Sequence, residues 1–182
     1  MFKWLQRVDA FFLLQVKKLH CKTTNRIMSV VTHLGTGGLV WFLLSIPLIF
    51  TKSTRNMGLN LLLGIFITWL VGEITIKRIV GRVRPSEQLP EEEQIVKRPK
   101  YYSFPSGHTA SSFSVVGVLL LNQCSLYILI PVVILAFLIG FSRLYLRVHY
   151  FTDVVCGMLL GFGCGCGSVP LFRILQEFYL NS

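Results

Sequence analysis

The chain has 182 residues, 53% of them apolar and only 14% charged, against about 25% charged in an ordinary soluble domain. That balance is too apolar for an ordinary soluble domain, and the length suits a single domain over residues 1–182. The formal net charge is +10, but no basic run is interleaved with aromatics and no nucleic-acid motif occurs. The positive charge therefore points to anionic headgroups at a membrane, or to one anionic substrate, and not to nucleic acid as a partner.

Residues 2–20 place Leu5, Val8, Phe12, Val16 and Leu19 at helical spacing, with Lys3, Arg7, Lys17 and Lys18 mainly elsewhere on the wheel. The segment is too polar to cross a bilayer, which takes roughly 20 mostly apolar residues. An amphipathic helix at the membrane surface is expected, with Trp4 suited to the interface. Its apolar core, 11–14, runs on to Lys17 and Lys18 and not to a small-residue cleavage site, so no cleavable signal peptide is expected.

A first span is expected over 27–50, loosened or broken by the glycine cluster at 35–38. A polar loop, 51–56, leads to a second span over 57–76. The polar segment 77–102 follows, with acidic Glu91, Glu92 and Glu93 and basic Lys97, Arg98 and Lys100 as surface clusters. A third span over 106–121, a turn at 122–125 and a fourth span over 126–141 come next, with Pro131 as a point of bending. A fifth span over 152–171 carries Gly157, Gly161 and Gly165 at i, i+4 spacing, which admits a close neighbouring helix. The expected fold class is all-α, a polytopic transmembrane helical bundle of about five spans plus an N-terminal interfacial amphipathic helix. The cysteines, Cys21, Cys124, Cys156, Cys164 and Cys166, are odd in number and lie mostly in apolar blocks. Their spacing fits neither a zinc site nor a disulfide framework, and they read as packing residues.

Alternation of spans brings three polar segments to one membrane face. In the first, Lys77 and Arg84 are seven residues apart, about two helical turns, and Pro85 ends the element. Alone, that segment reads equally well as a basic cluster snorkelling to headgroups. In the second, Ser106, Gly107 and His108 open the third span, where free backbone N–H groups make an anion site and glycine permits close approach. In the third, Ser142 and Arg143 precede His149 and Asp153, which at i, i+4 share a helical face. A carboxylate on one imidazole nitrogen fixes the tautomer and raises the basicity of the other, which prepares a nucleophile. Three cations and two histidines on one face match a phosphate group. No paired-ligand spacing such as H-E-x-x-H occurs, so neither a metal nor another cofactor is expected.

These residues carry a resemblance. Lys77, Arg84 and Pro85 fit K-x6-R-P; Pro105, Ser106, Gly107 and His108 fit P-S-G-H; Ser142, Arg143, His149 and Asp153 fit S-R-x5-H-x3-D. In that order and spacing they resemble the type 2 phosphatidic acid phosphatase superfamily of membrane lipid phosphatases. The resemblance implies that His149 attacks phosphorus, Asp153 orients it and His108 protonates the leaving oxygen. It also implies that Lys77, Arg84, Arg143, Ser106 and the Gly107 amide hold the phosphate oxygens, without a metal. The chain departs from relatives at Arg147 and Phe151, where they often have glycine and proline. Arg147, two residues before His149, is a candidate contact for a second negative group on the substrate.

The implied substrate is a lipid phosphate or diphosphate: phosphatidic acid, phosphatidylglycerophosphate or undecaprenyl diphosphate. The implied location is the cell membrane, with the site on the extracytoplasmic face. The excess of Lys and Arg on the site face points the other way by the positive-inside rule. A rival of another class is a non-catalytic membrane scaffold or transporter that keeps an anion site. Vanadium haloperoxidases share the constellation but are larger and soluble. Nothing in the sequence assigns an oligomeric state.

Overall fold

The computed structural model describes residues 3–181, so the expected helix start at residue 2 lies outside the described residues. Eight helices follow in order: α1 Lys3–Lys18, α2 Lys22–Leu34, α3 Leu39–Phe50, α4 Arg55–Trp69, α5 Lys77–Val80, α6 Gly107–Leu121, α7 Leu126–Tyr145 and α8 Phe151–Asn181. The protein is an integral membrane protein of the all-α class. Among the described residues, three helical segments are long and apolar enough to cross a bilayer, Arg55–Gln88, Leu126–Tyr145 and Phe151–Tyr179. The pair α2 and α3 makes a fourth when taken as one span bent by 47°. The bend falls at the expected glycine cluster, where Gly37 and Gly38 adopt φ of 59° and 74°. That left-handed region is closed to most side chains and interrupts the helical ladder.

Helix α6 has 15 residues, short for a span of about 20, but it is the centre of the bundle. Nearly every position from Thr109 to Leu119 is buried, against α4, α7 and α8. Close approach to α8 depends on glycine. A Cβ at Gly161 or Gly165 would overlap the backbone carbonyls of Ala110 and Ser114, and one at Gly157 would lie 2.7 Å from the Ser106 carbonyl. The expected i, i+4 glycine seam is therefore the α6–α8 contact. Helix α8 runs to Asn181, ten residues past the expected end, because apolar residues recur beyond Leu171 at Phe172, Ile174, Leu175 and Phe178.

Helix α1 differs from its expected role in one respect. The face bearing Leu5, Val8, Phe12 and Val16 turns towards the bundle. Phe12 stacks on Phe151 with centroids 3.9 Å apart, and Val16 packs with Leu144 and Val154. Trp4, Phe11, Leu14 and Leu19 are the exposed apolar set. The amphipathic pattern is real, but its inner face meets protein.

Candidate active site

The helix that carries Lys77 does not reach Arg84. A wide π-helical turn, Leu70–Ile76, is followed by the single turn α5, which ends where Gly81 takes φ 59°. Arg84 then lies in extended backbone with φ −78° and ψ 150°. Lys77 and Arg84 still converge, but through this turn and not through two turns of one helix. The Arg84 guanidinium donates to the carbonyls of Tyr101 at 2.5 Å, Tyr102 at 2.9 Å and Val148 at 2.8 Å. Those bonds hold a buried cation in place.

Lys77, Arg84, Arg143, Gly107, His108 and His149 all line one cavity of about 730 Å³. Phe42, Leu62, Ile65, Phe66 and Trp69 also line it. The cavity thus combines cationic and imidazole groups with apolar side chains. Arg143 is fixed by a 2.5 Å bond from Nη1 to Thr32 Oγ1, and its Nε has no protein partner. The buried His108 Nε2 likewise has none. A Cβ at Gly35 would lie 3.0 Å from the His108 ring, so the break between α2 and α3 also makes room for that imidazole.

His149 is 1% exposed and precedes α8. It is therefore not on a helical face with Asp153, as the spacing had suggested. Its Nδ1–H donates to the Ser103 carbonyl at 2.7 Å, while the Asp153 carboxylate stands 3.7 Å from Nδ1. This tautomer puts the ring's lone pair on Nε2, which accepts a hydrogen bond from Arg84 Nη1 at 2.9 Å. Burial, and then the cations Arg84, Arg143 and Lys77, push His149 well below its ordinary pKa. The imidazole is therefore neutral, the state in which Nε2 can attack an electrophile.

Asp153 is fully buried. One oxygen accepts the Tyr150 N–H at 2.9 Å and the other accepts from Arg82 at 2.5 Å. Ser106 lies outside the cavity wall, with Oγ paired to Thr109 Oγ1 at 2.8 Å. Its backbone N–H donates to the Asp153 carbonyl at 3.0 Å and ties the start of α6 to the start of α8. Glu73 is a site residue that sequence reasoning missed. It lines the cavity, pairs with Lys77 at i, i+4, and fills the space that a side chain at Gly107 would take. An anion reaching Lys77 must compete with that carboxylate. The i, i+4 Glu–Lys spacing was the available signal.

Arg147 does not face the cavity. Both its Nη atoms donate to Glu93 Oε2, at 3.0 and 3.1 Å, and Lys17 donates to the same carboxylate. Lys17 and Arg147 hold the Glu93 carboxyl below the usual carboxylate range. The Arg147 backbone has φ 55°, in the left-handed region that favours glycine. In this structure Arg147 anchors the loop that carries Glu93. Arg147→Gly should change kcat/KM for substrates with one and two phosphates by the same factor, within about twofold, as for a partly exposed ion pair. A selective loss of about 1–3 kcal/mol on the diphosphate would instead place Arg147 at the substrate.

Two imidazoles, three cations and several apolar side chains thus share one cavity, with His149 Nε2 facing the Arg84 guanidinium. The PAP2 superfamily model matches residues 53–176, and the chain belongs to that family. It is 31% identical over 154 residues to an undecaprenyl-diphosphatase of Sulfolobus acidocaldarius, covering 85% of this chain and 72% of that protein. The crystal structure of Aquifex aeolicus LpxE superposes with a TM-score of 0.74 at 31% identity, covering 88% of this chain and 93% of that one. A PAP2-type phosphatidylglycerolphosphate phosphatase from Bacillus subtilis superposes with a TM-score of 0.72 at 26% identity, covering 97% and 88%.

Proposed function

We propose that the protein is an integral-membrane lipid phosphatase. It hydrolyses the terminal phosphate of a lipid phosphate or diphosphate through a phosphohistidine on His149. The observation that carries this reading is the single cavity. His149 and His108 share its wall with Lys77, Arg84 and Arg143 and with the apolar side chains of Phe42, Ile65, Phe66 and Trp69. The phosphate lies among the cations and the Gly107 amide, and the lipid chain lies against the apolar side chains. His149 Nε2 attacks phosphorus, and the cations stabilise charge on the equatorial oxygens. His108 gives a proton to the leaving oxygen and then takes one from the water that hydrolyses the phosphohistidine. Ser103 and Asp153 keep Nδ1 protonated and balance the cationic ring that forms. Side-chain cations fill the role that metal ions play elsewhere in phosphoryl transfer, so the reaction is independent of added metal.

The names of the relatives direct the choice of substrates. Purified protein should release phosphate from at least one of phosphatidic acid, phosphatidylglycerophosphate and undecaprenyl diphosphate. Activity should survive EDTA and fall with vanadate. Release from none would favour a scaffold or transporter with an anion site, and loss in EDTA restored by magnesium would contradict the metal-free mechanism.

The site faces outward across the cell membrane on this reading. Glu91 is exposed on the loop beside the site. Glu91→Cys, in a background with the native cysteines replaced, should react with an impermeant thiol reagent in intact cells. Labelling only after lysis would assign the site to the cytoplasmic face.

A further inference from the structure

Arg82 lies between the two cations of the first phosphate motif, but it serves a different purpose. It is absent from the cavity wall. Its Nη1 donates to Asp153 Oδ1 at 2.5 Å and to Thr152 Oγ1 at 2.7 Å. Its Nη2 donates to Asp9 Oδ2 at 2.6 Å, and the Tyr150 ring lies 3.9 Å beneath the guanidinium. Asp9 is the sole acidic residue of α1 and is 1% exposed. It also accepts the Thr152 backbone N–H through Oδ1 and the Thr152 hydroxyl through Oδ2, each at 2.9 Å. A carboxylate from the N-terminal helix thus closes a buried network whose other end is the aspartate beside His149.

We infer that Asp9 is a positioning residue for the His149–Asp153 pair, acting through Arg82 and Thr152, so that docking of α1 is a condition for full activity. The inference rests on the roles given to His149 and Asp153 under Proposed function. Two buried carboxylates share one guanidinium. Asp9 draws part of Arg82 away from Asp153, which keeps Asp153 net negative, and it fixes the fork so that Oδ2 of Asp153 stays on the His149 side. When Nε2 bonds to phosphorus, the ring becomes a cation with Nδ1 still protonated. A negative Asp153 at 3.7 Å then stabilises the transition state more than the ground state, which is the condition for raising kcat. Without Asp9, the whole Arg82 charge falls on Asp153, and the guanidinium is free to turn. The neutral substrate-binding state loses little, because neither Asp9 nor Arg82 lines the cavity.

The test compares Asp9→Asn and Asp9→Glu with wild type in detergent, with folding followed by size-exclusion profile and thermal melt. Asp9→Asn should lower kcat about 10- to 100-fold with KM within about twofold and slow phosphoenzyme formation to match. Asp9→Glu, which keeps the charge, should recover most of the loss. A folded Asp9→Asn protein with wild-type kcat, or a rise in KM at unchanged kcat, overturns the inference. Because wild-type phosphate release is measured alongside, failure of the phosphatase reading itself would be seen separately, as no activity in any protein. If Asp9→Asn does not yield monodisperse protein, Thr152→Val carries the test by deleting the hydroxyl shared by Asp9 and Arg82. It should lower kcat several-fold at constant KM, and an unchanged kcat overturns the inference.

Discussion

Replacing His149 with alanine should abolish turnover, lowering kcat by roughly four orders of magnitude or more, the scale of a removed nucleophile. Other candidate nucleophiles among the described residues are engaged elsewhere, and the Glu73 carboxylate is paired with Lys77. Ser106 Oγ is paired with Thr109, Ser111 Oγ donates to the His108 carbonyl, and no cysteine lines the cavity. Binding should persist, because Lys77, Arg84 and Arg143 remain. The Arg84 guanidinium is anchored on three backbone carbonyls independently of the imidazole. The expected result is a folded protein that still binds vanadate or a lipid phosphate without releasing phosphate. Residual turnover within a hundredfold of wild type would assign the attack to another atom.

Replacing His108 with alanine should lower kcat by about 10²–10⁴-fold, the usual contribution of a general acid. The loss should be greatest for lipid phosphates, whose alkoxide leaves poorly, and small for an aryl phosphate that needs no proton. The alkaline limb of the pH–rate profile should vanish with it, since that limb reports the loss of the donated proton. The acid limb should remain, because it reports protonation of His149. Burial and three nearby cations lower the pKa of that imidazole in the free protein. Its neutral form therefore persists to lower pH, and the acid limb of kcat/KM should lie below the ordinary histidine range once the substrate's own ionisation is taken out. A bound phosphate offsets the cations, so the matching limb of kcat should lie at higher pH. An unchanged alkaline limb in the variant would remove His108 from the acid role.

Much of the site could be read from the chain because its cations and imidazoles are side chains at fixed spacing. Lys77, Arg84, His108, Arg143 and His149 do meet at one cavity. The glycines at 35–38 and along α8 were also legible, since their missing Cβ atoms mark a break and a close helix contact. What could not be read depends on backbone groups or on long separations in sequence. The partner of His149 Nδ1 is a carbonyl, that of Ser103, 46 residues earlier, and any residue type could supply it. The pairing of Asp9 with Arg82 spans 73 residues. Nothing in the helical pattern of α1 points Asp9 to that partner. The partner of Arg147 was hidden for a related reason: its charge suggested an anion, and the carboxylate it meets, Glu93, lies 54 residues earlier. The i, i+4 argument for His149 and Asp153 assumed a helix that begins only at Phe151.

The most direct test of the account is to trap the covalent intermediate. Protein mixed with a lipid carrying labelled terminal phosphate is quenched within the first turnover, digested, and the labelled peptide sequenced by mass spectrometry. The account predicts an acid-labile, base-stable label on His149, absent from His149→Ala. An acid-stable label on serine, a base-labile label on a carboxylate, or phosphate release with no phosphoenzyme at any quench time would contradict it.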